Sequence, residues 1–146
     1  MESVSEIRVR GYQVDHFGHV NHARYVEFLE EARWALLDEH RPIVERLHKK
    51  GIFHAVVRLE INYRCPAKLG DRLLVKTAIK QVGRTSLVVS QDIIRLGDDR
   101  LIADAQVTNV FIDGTTGHPI SIREDMLGVT EQINGRQGRR QKGDVQ

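Results

Sequence analysis

The sequence predicts an α+β domain in which a curved antiparallel sheet of about five strands wraps one long helix. Two observations carry this. Within residues 22–39, Tyr25, Phe28, Leu29, Ala32 and Leu36 fall at i, i+3, i+4, i+7 and i+11, one broad apolar stripe of helical spacing. From residue 53 onward the apolar period changes to every second residue, and four strand-length segments follow one another across tight turns.

The elements follow in order. Residues 6–14 alternate, with Ile7 and Val9 on one face and Arg8 and Arg10 on the other, which predicts a first strand. A loop leads into the helix, with Asn21 as its N-cap, because the Asn side-chain oxygen accepts from an unpaired N–H of the first turn. Glu30 and Arg33, three residues apart, are placed to pair on the helix surface. Pro42 starts a shorter helical piece that ends near Lys50-Gly51.

Phe53, Ala55, Val57, Leu59, Ile61, Tyr63 and Cys65 then share one face of a long strand, which Pro66 closes. Further strands are expected at 73–82, 86–96 and 100–112, joined at Gly83-Arg84 and Gly97-Asp98-Asp99 in the manner of antiparallel neighbours. A Gly/Thr loop at 113–118 and a helical turn after Ser121 complete a domain assigned to residues 1–130. A single open sheet leaves unpaired edges, so pairing with a second copy is expected on physical grounds.

With 146 residues, 40% hydrophobic and 29% charged, the chain has the composition of one globular domain with a core. No apolar run reaches the roughly 20 residues that span a bilayer. The opening Met-Glu-Ser-Val-Ser-Glu has no basic, apolar leader, so no secretory signal is expected. Cys65 is the single cysteine, which excludes an internal disulfide and suits a reducing cytoplasm. The net charge is +2, with Arg136, Arg139, Arg140 and Lys142 concentrated in residues 131–146. No aromatic residue interleaves these charges to stack on bases, so this segment reads as a solvated, disordered tail and not as a nucleic-acid-binding arm.

The chemistry concentrates in Asp15-His-Phe-Gly-His-Val-Asn-His-Ala-Arg-Tyr25. Asp15 can act as a general base on water or attack a carbonyl directly; alternatively it makes a turn hydrogen bond. His22 opens the helix, where its backbone N–H is an unpaired donor that can face a developing oxyanion. Three histidines and an aspartate invite a metal, but His19-x-x-His22 in a tight loop lacks the rest of a ligand set, and no metal is expected. Gly18 supplies a conformation or close approach that a Cβ would block. Tyr25 and Phe28 are core residues whose edges can line a pocket.

This stretch, continued by Glu30-Glu-Ala-Arg33 and joined by Tyr63-Arg-Cys-Pro-Ala-Lys-Leu-Gly-Asp71, resembles the hotdog-fold acyl-CoA thioesterases of the 4-hydroxybenzoyl-CoA thioesterase type, including their Tol-Pal-associated branch. The resemblance covers roughly residues 5–130. It implies hydrolysis of an acyl-CoA thioester to free acid and CoA, without metal or redox cofactor. It implies that Asp15 is the catalytic carboxylate and that the His22 N–H polarises the thioester carbonyl. Gly18, Asn21 and Tyr25 would then contact substrate, and Arg84, Thr85 and Ser86 would meet the nucleotide of CoA. It further implies sites at the interface of a homodimer, with dimers pairing into homotetramers. His16-Phe17 departs from the small residues frequent there, which leaves aryl and short aliphatic acyl groups both open.

Two rivals share the fold. His16-Phe17-Gly18-His19 superficially matches the His-Phe-Pro-Gly-His loop of hotdog dehydratases, but that chemistry needs a His base working with a carboxylate on the partner side, and the helix lacks the expected placement. A non-enzymatic acyl-CoA-binding module is the other, since fold alone does not fix function.

Overall fold

The structure, a computed structural model, describes residues 2–143. It contains β1 (Glu2–Arg8), α1 (His22–Glu39), α2 (Arg41–Lys49), β2 (Ile52–Tyr63), β3 (Arg72–Val82), β4 (Ser86–Arg95), β5 (Arg100–Asp113) and α3 (Leu127–Gly143), with a 3-10 turn at Gly11–Gln13. The five strands form one antiparallel sheet in the order β1-β3-β4-β5-β2, so β1 and β2 are its edges. Register breaks at Val56/Arg58, Ile79/Gln81 and Ile93/Ile94 insert extra residues that bend and twist the strands around α1.

Helix α1 buries the five residues of its predicted stripe. Tyr25, Phe28, Leu29 and Ala32 cluster with Leu73, Val75, Ile93, Ala103 and Ala105 from the sheet, together with Ile7 and Val9. Asn21 caps the helix by accepting from Ala23 N–H at 3.0 Å. A second apolar cluster forms at the other end, where Leu36, Leu47, Ile52, Ile79, Phe111, Ile122, Met126 and Val129 meet. There Asp125 accepts from Arg46 Nε at 3.2 Å and Lys50 Nζ at 2.8 Å, which ties α2 to the segment leading into α3. Burial pushes the Asp125 carboxyl upward, but the hydrogen bonds and charges of Lys50 and Arg46 together outweigh it and hold the group below its ordinary range.

Between the two apolar clusters lies a buried polar row. Gln91 Nε2 donates to the Leu29 carbonyl at 2.9 Å and to Thr77 Oγ1 at 3.0 Å, while its Oε1 accepts from Arg33 Nη1 at 3.0 Å. The expected Glu30–Arg33 pair does not form among the described residues. Arg33 turns inward to Gln91, and Glu30 stays exposed. Burial lowers the Arg33 pKa from its ordinary value, and nearby Glu30 partly offsets this.

Three further differences from the sequence reading have local causes. The first strand runs over Glu2–Arg8 and not 6–14, because pairing with Arg72–Ala78 of β3 recruits polar residues that carry no apolar alternation of their own. In β2, the bulge at Val57 reverses the facing of everything before it. His54 lies opposite Phe111 and Val56 opposite Asn109, while Leu59, Ile61 and Tyr63 oppose Val107, Ala105 and Ala103. The inward set is therefore Ile52, His54, Val56, Leu59, Ile61 and Tyr63, and Phe53 and Ala55 belong to the other face. Finally, helix α3 occupies the stretch read as a solvated tail: Val129 is buried and Ile133 packs beside it, which anchors the helix start. Arg136 and Arg139 are exposed; the side chains of Arg140 and Lys142, and residues 144–146, lie outside the described residues.

Replacing Gln91 with Leu leaves the Arg33 guanidinium and Thr77 hydroxyl without their partner in the interior. Urea unfolding of Gln91→Leu is expected to show a loss of about 1–3 kcal/mol, whereas an unchanged midpoint shows that the row contributes no stability.

Candidate active site

The loop from Val14 to Val20 is a tight hairpin. The Asp15 N–H donates to the His19 carbonyl at 2.8 Å, and the Gly18 N–H returns to the Asp15 carbonyl at 3.0 Å. Gly18 sits at φ 76°, in the left-handed region that favours glycine. Asp15 Oδ1 accepts from the Phe17 N–H at 2.9 Å and the His19 N–H at 3.3 Å. Both readings of Asp15 therefore have a physical basis: one oxygen holds the turn together, and Oδ2 accepts no hydrogen bond among the described residues.

The Pro66–Asp71 turn supports this loop from below. Val20 N–H donates to the Ala67 carbonyl at 2.9 Å, His19 bridges to Lys68, and Val9 N–H donates to the Asp71 carbonyl at 2.9 Å. Arg95 holds the turn by donating to the Pro66 carbonyl at 3.3 Å, and it pairs with Asp98 at 2.7 Å. The hydrogen bond from Arg95 draws the Asp98 carboxyl down to about 2.

Asp15, His19, Val20, His22, Tyr25, Tyr63, Arg64, Cys65 and Pro66 surround a shallow cleft of about 380 Å³ at the N-terminus of α1. Asn21 occupies its own oxygen in capping, so Ala23 is satisfied, and the Asn21 carbonyl accepts from Arg24. The His22 N–H donates to no group among the described residues. A helix N-terminus concentrates positive potential at such a donor. Tyr63 Oη donates to the His22 carbonyl at 3.1 Å and joins β2 to the first turn of α1. Tyr25, packed edge-on against Tyr63 at 5.4 Å, accepts from the Ala67 N–H at 3.1 Å. Burial pushes the Tyr25 hydroxyl above its ordinary pKa, partly offset by that hydrogen bond.

The structure thus brings Asp15, Gly18, Asn21, His22 and Tyr25 together. It does not bring Arg84, Thr85 and Ser86 to them. Ser86 starts β4 and Arg95 ends it under the Asp15 loop, so the three residues stand about 30 Å away at about 3.4 Å per strand residue. The cation at the cleft is instead Arg64, whose Nε donates to Asp104 at 2.6 Å. Tyr63 and Arg64 had a signal in the sequence, since both begin the Tyr63–Asp71 stretch, but strand periodicity alone assigns them to packing and solvent. His16 stacks on Phe17 at 4.0 Å in the exposed loop tip. Among the described residues, no group of three or more His, Cys, Asp or Glu side chains is arranged to hold a metal.

Residues 9–129 match the Thioesterase-like superfamily. The chain is 38% identical over 129 residues to a protein of Escherichia coli strain K12 named long-chain acyl-CoA thioesterase FadM, covering 88% of this chain and 97% of that one. It is 30% identical over 126 residues to the acyl-CoA thioester hydrolase YbgC of Escherichia coli O6:H1, covering 86% and 93%. A 1,4-dihydroxy-2-naphthoyl-CoA thioesterase from Synechocystis superposes with a TM-score of 0.77 at 21% identity, over 87% of this chain and 93% of that one, a likeness of fold.

A Cβ at Gly18 meets open space, so the whole effect of Gly18→Ala is conformational. Urea unfolding should show a loss of about 1–2 kcal/mol, with Gly18→Asn losing less because Asn tolerates the left-handed region. Equal losses for both would place the cost elsewhere than in φ.

Proposed function

The chain belongs to the thioesterase-like superfamily, and from that membership we propose that it hydrolyses acyl-CoA thioesters with Asp15 and the His22 backbone N–H as its reacting pair. One observation carries the residue assignment. A carboxylate oxygen and a helix-start N–H, neither engaged among the described residues, border one cleft. The N–H, reinforced by the helix dipole, takes the carbonyl oxygen as it gains charge. Asp15 Oδ2 either removes a proton from water attacking the carbonyl carbon or attacks that carbon itself. On the first route the C–S bond then breaks, the proton taken from water passes from Asp15 to the departing CoA sulfur, and the acyl group leaves as a carboxylic acid; on the second, C–S cleavage leaves an acyl–Asp15 anhydride, which water hydrolyses to the acid and free carboxylate while the CoA thiolate takes up the proton released. Nothing in these steps calls for a redox centre, and the proposal includes no cofactor.

The loop geometry supports the division of labour between the two oxygens of Asp15. Oδ1 is fixed by two backbone donors, so Oδ2 has a defined direction without a second side chain to orient it. His22 enters through its backbone, and its imidazole carries no required role. Tyr25 and Arg64 line the cleft wall where substrate would lie.

The proposal extends to a homodimer. β2 is a 12-residue edge strand with Phe53, Val56, Val57 and Tyr63 exposed. Such an edge is a template for pairing with another chain. Antiparallel pairing of β2 with a second copy about Leu59 sets Arg58 against the other copy's Glu60, opposite charges on facing strands. It also turns the Ser86 end of one sheet toward the Tyr63 end of the other. Arg84, Thr85 and Ser86 would then approach the cleft of the opposite subunit, where the nucleotide of CoA could reach them.

Thiol release from acyl-CoA is the test. Asp15→Ala is expected to lose about 10²–10⁴-fold in kcat, and activity equal to wild type removes Asp15 from the mechanism. His22→Pro deletes the N–H at a position where proline is tolerated, because Asn21 is already extended at φ −60°, ψ 137°. It should cost about 10²–10³-fold in kcat, while His22→Ala, which keeps the N–H, stays near wild type. The reverse order would transfer the role to the imidazole. Val57→Lys is expected to shift the dimer to monomer in sedimentation velocity; an unchanged oligomer places the interface elsewhere.

A further inference from the structure

We propose that the cavity beside the C-terminal half of α1 is a second ligand site, outside the reaction, for a free carboxylate of about six carbons that carries a hydroxyl at its far end. The inference goes beyond the thioesterase reading and stands whether or not the chain hydrolyses thioesters. The cavity measures about 160 Å³ and shares no lining residue with the Asp15–His22 cleft. Glu30 at its border lies eight residues from His22, about 12 Å along α1 at about 1.5 Å per residue. Leu36, Leu47, Ile79, Val89, Phe111 and Met126 give it apolar walls.

Two polar groups face this space without the partners that burial calls for. Asn109 on β5 is 5% exposed, and its side-chain amide makes no hydrogen bond among the described residues. No enclosed side-chain N or O atom of those residues lacks a partner, so the Asn109 amide reaches open space, and that space is the cavity it lines. An amide there loses its water without compensation until a ligand bonds it. Arg33 is the second group. Its Nη1 donates to Gln91 at 3.0 Å, which leaves most of the guanidinium's donors unused, and no carboxylate among the described residues pairs with it. Glu30 borders the cavity as well, but it is exposed and forms no ion pair with Arg33. A half-buried cation beside apolar walls attracts an anion, because a counter-charge offsets its desolvation. On the β2 wall, burial and then the charges of His48 and Arg33 lower the His54 pKa, so this imidazole is neutral at neutral pH and adds no charge beside Arg33.

The separation of the two groups sets the length of the ligand. Gln91, which holds Arg33, lies opposite Ala105, and Asn109 lies four residues further along β5. Four strand residues span about 14 Å at about 3.4 Å each. An extended chain of about six carbons measures about 6 Å between its end carbons. Its terminal oxygens, with one hydrogen bond of about 2.9 Å at each end, bring the reach to about 14 Å. Volume gives the same size, since a dry cavity of about 150 Å³ holds one benzene. Arg33 is only half-buried and shares its side of the cavity with exposed Glu30 and Trp34, so a carboxylate there keeps part of its hydration. The hydroxyl then meets the enclosed Asn109.

Calorimetric titration of the full chain at neutral pH with 6-hydroxyhexanoate, hexanoate and hexane-1,6-diol is the experiment. The first should bind about fivefold tighter than hexanoate, the worth of one hydrogen bond, and roughly tenfold or more tighter than the diol, which lacks the charge. Asn109→Leu is expected to bring 6-hydroxyhexanoate down to the affinity of hexanoate while hexanoate itself stays within about twofold. Val89→Phe fills the space and should abolish binding of all three, with Leu37→Phe serving if that variant fails to fold. Asp15→Ala should leave the three affinities as they are. No thiol release is read, so failure here leaves the thioesterase reading intact, and failure of that reading leaves the site intact. Absence of binding by all three compounds overturns the proposal, as do equal affinities for hexanoate and 6-hydroxyhexanoate or a preference that survives Asn109→Leu. Binding that persists in both phenylalanine variants, or is lost in Asp15→Ala, places the ligand elsewhere and overturns it too.

Discussion

Everything at the cleft depends on where α1 begins, and that is set by how α1 is seated in the concave face of the sheet. Apolar burial supplies the adhesion but little register, since Leu, Val and Ile slide past one another with small penalties. Gln91 supplies the register. It is fixed to Thr77 across the β3–β4 ladder and donates to a carbonyl in the middle of α1, while holding Arg33 one turn further on. Buried hydrogen bonds are directional and expensive to leave unmade. The helix therefore cannot shift along its axis by one turn without orphaning several polar groups in the interior.

Given that seating, the N-terminus of α1 is bounded on three sides. Tyr63 reaches it from the edge strand, the Ala67 backbone binds Tyr25 from below, and the Asn21 cap fixes the first turn. The Asp15 hairpin is in turn laid across the Pro66–Asp71 turn through main-chain bonds at Val20, His19 and Val9. The two stretches that stood out in the sequence are thus one structural unit, with the second serving as the floor of the first. Their rigidity comes from backbone pairing, so the individual side chains facing the cleft are left available for chemistry.

Much of this was legible from residues alone, for identifiable reasons. Helix α1 and its cap could be read because a period of 3.6 and an Asn before it are local signals, and strands β3, β4 and β5 fell within a residue or two of expectation for the same reason. The beginning of β1 was not legible, since Glu2–Glu6 become a strand through their partner β3 and carry no alternation of their own. Nor was the facing of His54 and Val56, because one bulged residue reverses parity and leaves no mark in composition. Arg33 was misread toward Glu30, a neighbour three positions away, when its partner Gln91 lies 58 positions along the chain. At the site, Asp15 and His22 were visible through their place before a helix. Arg84, Thr85 and Ser86 rested on residue type at a strand end; within one chain they lie at the far end of β4 from the cleft, and only pairing of two copies would bring them to one.

The same bulge that defeats parity also keeps the inner face of β2 continuous. Without it, Val56 and His54 would face away from α1 while Leu59, Ile61 and Tyr63 faced it, and the inner surface of β2 would be interrupted midway. With the extra residue at Val57, apolar or aromatic side chains continue inward along the whole strand, from Tyr63 beside His22 to Ile52 at the base of the second apolar cluster. The cost is a strand edge that carries exposed Val56 and Val57, which water does not favour. A sheet retaining such an edge gains from covering it. Continuity of the inner face and exposure of the edge are therefore two results of one inserted residue.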